Sequence, residues 1–422
     1  MKHTVKKKVW DVFVFMTVLF AMTALAAADT VKIGNLFPVT GNAARVGIDC
    51  REGTEIARIV QNEKGGLWGK KIEWVKGDAV DPKIAMTEAE RLIAKEGVNI
   101  IIGTAASSRS YAASQVAEKY RKIHWEVSAN SDTITGRGFK YLFRTNAPAS
   151  YYSRYAGMVI TDTVGPQLGI APKDLRIALV GEDTVYGTNA MEQARKILKE
   201  LSYDKVVVDE LFDPNAVDLS ALLMKLKAGR PDLLLLSAHL AQEVLFWRQA
   251  KDLDFNVKAY LCPTGEGVTT EEYLQSLGDA VNGHMVVSYC PPIKVNPDYA
   301  VGIDKFAEKY ESVYGHKLVS VYPIIAYTGT LVLWEVLEKA GSTDPEAVRK
   351  AAQSIDIAKT VAGFGVKFDP NTGQNVKAAC VVLQWQGGKM WTTWPPEAAV
   401  GKHKMKLPLP TWEERNKGIT VK

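Results

Sequence analysis

The sequence predicts an α/β protein of two lobes with parallel-rich sheets. Three observations carry that reading. The chain has 422 residues, too many for one ordinary core. From residue 31 onward, short β-branched runs alternate with helices of 10–15 residues, the pattern of parallel strands covered on both faces. The strands also fall into two runs, before and after roughly residue 148.

The first run opens with "VKIGNLF" as a strand. A helix from about Asp49 to Lys64 follows, stopped by Gly65-Gly66. "KKIEWVKGD" is a strand. "DPKIAMTEAERLIAKEG" is a helix, with Asp81 as its cap, Pro82 in its first turn and Gly97 as its stop. "VNIIIG" is a strand that opens into a helix through "TAASSRSYAAS", and "KIHWEVSAN" is the next strand. The second run begins with a helix near Tyr151. It continues through the strand "LRIALVGED", helix 189–201, the strand "KVVVDELF", helix 218–229, the strand "PDLLLLSA", helix 241–253 and the strands "VKAYLC" and "GHMVVSYC". Helices over 298–314 and from about Pro323 to Ala340 come next. Residues 361–394 read as antiparallel strands joined by an Asn-Thr-Gly turn and a Gly-Gly turn. The tail "KLPLPTWEERNKGITVK" is Pro-rich and polar, and is expected to be a loosely packed extension.

Composition narrows the function. Hydrophobic residues make up 47% and charged residues 23%, ordinary for a globular protein. Lys2, Lys6, Lys7, Lys8 and Asp11 account for +3 of the formal +5. The rest is nearly neutral and carries no basic stripe, so no nucleic-acid partner is expected. The cationic "MKHTVKKKVW", the apolar "VFVFMTVLFAMTALAAA" and the small residues before Asp29 form the secretory pattern. A signal peptide over 1–28 and a periplasmic location are expected. No Cys follows the cleavage point to carry a lipid, and no later segment reads as a membrane span.

Four cysteines remain, Cys50, Cys262, Cys290 and Cys380. Cys262 and Cys290 end strand-like runs; a bridge between them and free buried thiols are both open readings. The scattered histidines fit no metal spacing, so no metal and no cofactor are expected. Gly34, Gly41 and Gly47 are too widely spaced for a dinucleotide fingerprint. "GGLWGKK" lacks the spacing and hydroxyl of a phosphate loop. No G-x-S-x-G elbow occurs, and an enzyme is not expected.

Chemistry concentrates where strands end. Ligands of open α/β sheets sit at the carboxyl ends of strands. The small residues of "IIGTAASSRSYAAS" let a ligand approach a helix N-terminus, whose unpaired N–H groups favour a carboxylate. Ser107, Ser108 and Ser110 add hydroxyls there; the competing reading is ordinary capping by Ser107 or Ser108. "EVSANSD" ends the next strand in the same style, with Ser128, Ala129 and Asn130. In the second run, Tyr186, His239 and Glu266 each follow a strand.

At these residues the chain resembles the periplasmic substrate-binding proteins of branched-chain amino acid ABC transporters, the type I leucine/isoleucine/valine-binding family. The matching stretches, in order, are "VKIGNLFPVTGNAARVG", "GGLWGKKIEWVKGDAVDP", "VNIIIGTAASSRSYAAS", "VSANSDTIT", "RIALVGEDTVYG" and "PDLLLLSAHLAQEVLFWRQAK". The resemblance runs from about Val31 to Trp394. It implies two Rossmann-like lobes joined by three hinge crossings, near 146–150, 288–293 and 358–364, with the ligand trapped between them. The lobes would then be 29–147 plus 291–360 and 148–290 plus 361–395, with a C-terminal extension over 396–422. It also implies a monomer that closes on its ligand by hinge motion and delivers it to ABC permease subunits in the inner membrane.

Carried over by position, Ser107 would hold the ligand carboxylate, and the Ser128 carbonyl would accept from an ammonium. Asn130 would bind the same end. Tyr186 would cover the ligand, and Glu266 would pair with the ammonium. Arg45 and Val46 lie where a side chain shields the ligand's tail. Asn130 replaces a frequent Thr, His239 replaces an aromatic, and Tyr151 and Tyr152 stand at the first crossing. The expected ligand is a branched-chain or hydrophobic amino acid. The alternatives are an aromatic or aliphatic carboxylic acid or an amide, or a role as a ligand sensor.

Overall fold

The computed structural model describes residues 30–265, 267–292, 294–401 and 403–421. The expected signal peptide over 1–28 and Glu266 lie outside the described residues. Val31–Phe37 (β1), Ile72–Asp78 (β2), Ile100–Gly103 (β3), Ile123–Glu126 (β4) and Leu142–Arg144 (β5) form one sheet in the order β2-β1-β3-β4-β5. Every pairing in it is parallel. The second sheet has the order β12-β11-β10-β9-β8-β6-β7. Its strands are Ile177–Glu182 (β6), Val206–Phe212 (β7), Leu233–Ser237 (β8), Ala259–Cys262 (β9), Met285–Ser288 (β10), Val381–Gln386 (β11) and Lys389–Trp394 (β12). Only β11 and β12 run antiparallel to their neighbours.

Most helices lie close to where the periodicity places them, although the first begins at Ala44, not near Asp49, and that expected over 298–314 begins at Ile303. Asp81 accepts from the Ile84 N–H at 2.8 Å and so caps Pro82–Ala94. The helix Ala44–Glu63 crosses Tyr322–Ala340 closely: a Cβ on Gly53 would stand 2.1 Å from the Pro323 carbonyl oxygen. Several elements lie outside the sequence reading, among them the helix Glu271–Leu277 and the short helix Trp412–Asn416. Others are β5, the one-turn helix Asp132–Thr135 and the helix Pro345–Ser354, which Asp344 caps at the Ala347 N–H.

The chain passes between the sheets after Arg144, after Ser288 and before Val381. The third passage differs from the expected 358–364. Residues 357–376 stay on the first sheet, bridged Ile357 to Val366, Phe368 to Asn375 and Arg144 to Gln374. Phe368 packs edge-on against Trp125 at 5.3 Å and Phe143 at 5.2 Å. The Asn-Thr-Gly turn folds this segment back so that its aromatic completes the first lobe's core.

The tail also corrects its expectation. Met405, Leu407, Leu409, Trp412 and Val421 are buried against the second lobe. Trp412 Nε1 donates to the Phe255 carbonyl at 2.8 Å, and the Leu409 N–H donates to the Lys258 carbonyl at 2.8 Å. The alternating apolar residues between prolines form a strap, and their burial outweighs the polar average of the segment.

All four cysteines are buried, and Cys262, Cys290 and Cys380 are free thiols. The strand register pairs Cys262 with Val286, so Cys290 lies four residues farther on. That offset is about 13 Å along the strand, beyond the reach of a disulfide.

Candidate functional site

The C-terminal edges of the two sheets face each other, and the site is built there. β3 ends at Gly103 (φ +146°), where a Cβ would stand 1.9 Å from the Leu36 carbonyl oxygen. Only glycine lets β1 and β3 approach so closely at this edge. Ala105 follows with φ 68°, a left-handed backbone unusual for a residue with a side chain. Ala106 then takes the N-cap position of the helix Ser107–Lys119, and no side chain caps it. Capping by Ser107 or Ser108 is therefore not what the hydroxyls do. The first-turn N–H groups have no acceptor within the helix, and they carry its partial positive charge.

Ser107 Oγ instead accepts from the Ser131 N–H at 3.2 Å and ties this helix to the end of β4. There, the Ser128 carbonyl accepts from Asn146 Nδ2 at 2.9 Å. Behind the loop lies Arg144, fully buried. Its guanidinium donates to the carbonyls of Ser131 (2.7 Å) and Ala129 (3.2 Å), to Thr135 Oγ1 (3.0 Å) and to Gln374 Oε1 (2.6 Å). Burial pulls this guanidinium down to about 10, against the opposing charges of Asp132 and Glu126, so it stays cationic at neutral pH.

The second lobe supplies the opposite wall. Thr264, just past β9, is held by Ser237 Oγ at 2.7 Å and by Tyr186 OH at 2.5 Å. Asn130 Nδ2 donates to the Thr264 carbonyl across the gap at 3.3 Å, and Ser128 Oγ lies 3.0 Å from Tyr289 OH. Asn189 Oδ1 accepts from the Asp132 N–H at 2.9 Å. The inner cavity between the lobes is lined by Ala105, Ser107, Ser128, Ala129, Asn130, Thr264, Tyr289 and Tyr322. Its volume is about 10 Å³, no more than one water occupies. Beside it, where Ser320 Oγ accepts from the Tyr322 N–H, a wider cavity of about 390 Å³ opens between the lobes. It is lined by Arg45, Asp49, Glu271, Glu272 and His316, among others. A larger cavity of about 750 Å³, among Arg176, Lys227, Arg230 and Lys258, lies at the other edge of the second sheet. Those residues precede strands, and sheets of this kind take ligands at the opposite end.

The sequence profile of the family described as periplasmic binding protein matches residues 30–389. The chain belongs to this family. The Leu/Ile/Val-binding protein homolog 7 of Brucella suis is 36% identical over 394 residues, covering 92% of this chain and 96% of that one. Among solved structures, the branched-chain amino acid transporter substrate binding protein LivJ of Streptococcus pneumoniae, in complex with isoleucine, superposes with a TM-score of 0.74 at 22% identity. That match covers 89% of this chain and all of the other. A solute binding protein of an R. palustris ABC transporter, in complex with benzoate, gives a TM-score of 0.73 at 20% identity, covering 89% and 98%. These two likenesses concern the fold. Membership of the family and the kinship with the Leu/Ile/Val-binding homolog make the protein a substrate-binding protein, not an enzyme. Among the described residues, no helix is long and apolar enough to cross a membrane, and no cluster of His, Cys, Asp or Glu could hold a metal.

In this periplasmic binding protein the expected site residues separate into groups. Ser107, Ser128, Ala129 and Asn130 line the inner cavity. Ser108 sits beside Ser107 in the same helical turn, half-buried. Tyr186 stands one hydrogen bond behind, through Thr264. His239 pairs through Nδ1 with Glu182 and lies 5.3 Å from the Tyr186 ring, outside the inner cavity. Val46 is buried in the first lobe's core, while its neighbour Arg45 lines the wider cavity and pairs with Asp49. Tyr151 is half-buried, with the Arg154 guanidinium 5.5 Å from its ring. Tyr152, not Tyr151, backs the cavity: it is fully buried and edge-on to Tyr289 at 5.8 Å. Sequence reasoning missed Ala105, Thr264, Tyr289 and Tyr322. Thr264 and Tyr289 also follow strands, so the rule that found Ser128 applies to them; Tyr322 reaches the cleft from a helix start.

Proposed function

We propose that this protein captures a small carboxylate, a branched-chain or other hydrophobic amino acid, between its lobes and delivers it to an ABC permease. The observation that carries the reading is the uncapped N-terminus of the helix Ser107–Lys119 opening on the interlobe cavity. Its N–H groups and the hydroxyls of Ser107 and Ser128 match a carboxylate. The relatives' name points the same way. Glu266, by family position, would take the ammonium.

The ligand cannot enter a space of about 10 Å³. Binding therefore requires the lobes to part, breaking the contacts of Asn130 with Thr264 and Ser128 with Tyr289. The ligand's polar groups replace these contacts, and closure then desolvates its tail. Hinge motion at the three passages serves this step. Export through the signal peptide 1–28 to the periplasm, a monomeric state and the lobe boundaries belong to the same proposal, with the third passage moved to 376–381.

A second reading, an aromatic acid without an amine, is favoured by the walls of Tyr289 and Tyr322 with Tyr152 behind. Calorimetric titration with L-leucine, L-isoleucine and benzoate separates the two. The first reading expects micromolar binding of an amino acid, roughly 8 kcal/mol. It further expects Glu266→Gln to weaken an amino acid far more than a simple acid. Binding of benzoate alone would replace it by the second.

A further inference from the structure

Directly beneath the inner cavity lies a carboxylate with no part in the ligand site described above. Glu126 ends β4 and is fully buried. Its Oε1 accepts from the N–H groups of Val127 (3.0 Å), Ser128 (2.8 Å) and Ala129 (2.8 Å). Its Oε2 accepts from the N–H of Thr104 at 2.9 Å. His124 Nε2 stands 3.6 Å from that same oxygen, and Ser110 Oγ lies 3.4 Å from the histidine nitrogen. Successive backbone N–H groups turned onto one anion form a nest. Here the anion belongs to the chain itself. Burial opposes its charge, yet His124, Ser110 and the Ser128 N–H outweigh burial and hold the carboxyl below the usual carboxylate range.

The two ends of this carboxylate grip two different loops. One runs from Thr104 to Ser107, the other from Val127 to Asn130. Together they supply five of the eight residues around the inner cavity. We propose that Glu126 is a positioning residue that clamps these two loops into one ligand-receiving geometry without touching ligand. The clamp also decides which donors remain. The N–H groups of Thr104, Ser128 and Ala129 already serve Glu126, so an incoming carboxylate is left with the first turn of the helix Ser107–Lys119 and the neighbouring hydroxyls. The affinity consequence rests on the carboxylate reading above; the clamp itself does not.

Glu126→Gln isolates the clamp. The amide keeps the shape, but its single oxygen can serve only one loop, and its NH₂ then faces the N–H donors of the other. The experiment uses the mature chain, the variant, and Ile101→Val as a control that trims the buried β3 without touching either loop. Amide hydrogen exchange is read at Thr104 and Ala129, and titration uses L-leucine and benzoate as probes. The clamp predicts exchange at one of these amides accelerated by about tenfold or more in Glu126→Gln. It also predicts a loss of about tenfold in affinity for whichever probe binds the parent, with neither effect in the control. Unchanged exchange in Glu126→Gln, or equal effects in Ile101→Val, would overturn it. If the parent binds neither probe, the ligand reading fails while the exchange result still decides the clamp. Should the variant not fold, carbon NMR of the Glu126 carboxyl in the parent decides. A carboxylate that persists on the acid side of ordinary glutamates supports the clamp, and titration in the ordinary range overturns it.

Discussion

Asn130 Nδ2 lies 3.3 Å from the carbonyl oxygen of Thr264, and this hydrogen bond joins the edge of the first sheet to the edge of the second. Both residues are buried at the end of a strand, and both line the inner cavity. On the proposed function, a ligand's polar end would displace this contact. Asn130→Ala removes a donor on this axis. Ligand affinity should fall by about tenfold, the worth of roughly one buried hydrogen bond. Titration calorimetry on the variant checks it, and an unchanged dissociation constant would remove Asn130 from the site.

Arg144 fixes the loop from which Ser128, Ala129 and Asn130 project. Its fork reaches the carbonyls of Ala129 and Ser131 and the side chains of Thr135 and Gln374. Arg144→Met fills the volume but takes the charged donor from each of these buried acceptors, leaving Ser131 only the Ile134 N–H, Ala129 only Asn146 Nδ2 and Gln374 Oε1 only the Thr135 hydroxyl. The expected cost is about 3 kcal/mol of stability, with affinity lost as well. Denaturant unfolding measures the first and titration the second. A stability within about 0.5 kcal/mol of the parent would mean that the loop holds itself.

The tail is part of the second lobe's core. Trp412 is buried, donates to the Phe255 carbonyl and stands 6.4 Å from Trp247. Trp412→Ala should cost about 3 kcal/mol, and deletion of residues 405–422 should cost more. Thermal unfolding of the two variants tests this; parental melting temperatures would return the tail to the loose extension its polar composition implies.

Stability should depend on pH through Glu243. It is buried, and burial first, then the charge of Glu182, raises its carboxyl well above the ordinary range, although Tyr260 OH donates to it at 2.9 Å. The folded protein therefore holds a proton that the unfolded chain releases near 4.5. Between that value and the raised one the folded state binds more protons, so stability declines as pH rises. Glu243→Gln keeps an acceptor for Tyr260 and removes the titration. Its melting temperature should gain on the parent progressively from pH 5 to pH 8. Parallel curves over that span would show that Glu243 does not titrate there.

Much of the fold was legible because its signals are local. Asp81-Pro82 announces its helix, and Asp344-Pro345 carries the same cap and proline; that second helix needed only the same rule applied again. β5 was not legible: Leu142, Phe143 and Arg144 are too few to show a period. The third passage was misplaced because Phe368 looks the same in sequence whether it packs on Trp125 or on the second sheet. In the site, Ser107, Ser128, Ala129 and Asn130 could be read because each stands where a buried strand stops. Thr264 and Tyr289 also stand where strands stop and needed only the same rule; Tyr322 starts a helix and depends on how the lobes face each other, which no local pattern records. Glu126 reads as an ordinary acid at a strand end. Only the convergence of four N–H groups on it reveals its place.

The central claim is that a small carboxylate lies between the lobes with its oxygens on the first turn of the helix Ser107–Lys119. A crystal structure with bound ligand, L-leucine or benzoate according to the titration, tests it most directly. The account predicts lobes farther apart than here, the Asn130–Thr264 contact broken, and a carboxylate oxygen about 2.9 Å from the Ser107 N–H nitrogen. Ligand density outside the interlobe cleft, or a carboxylate turned away from Ser107, would contradict it.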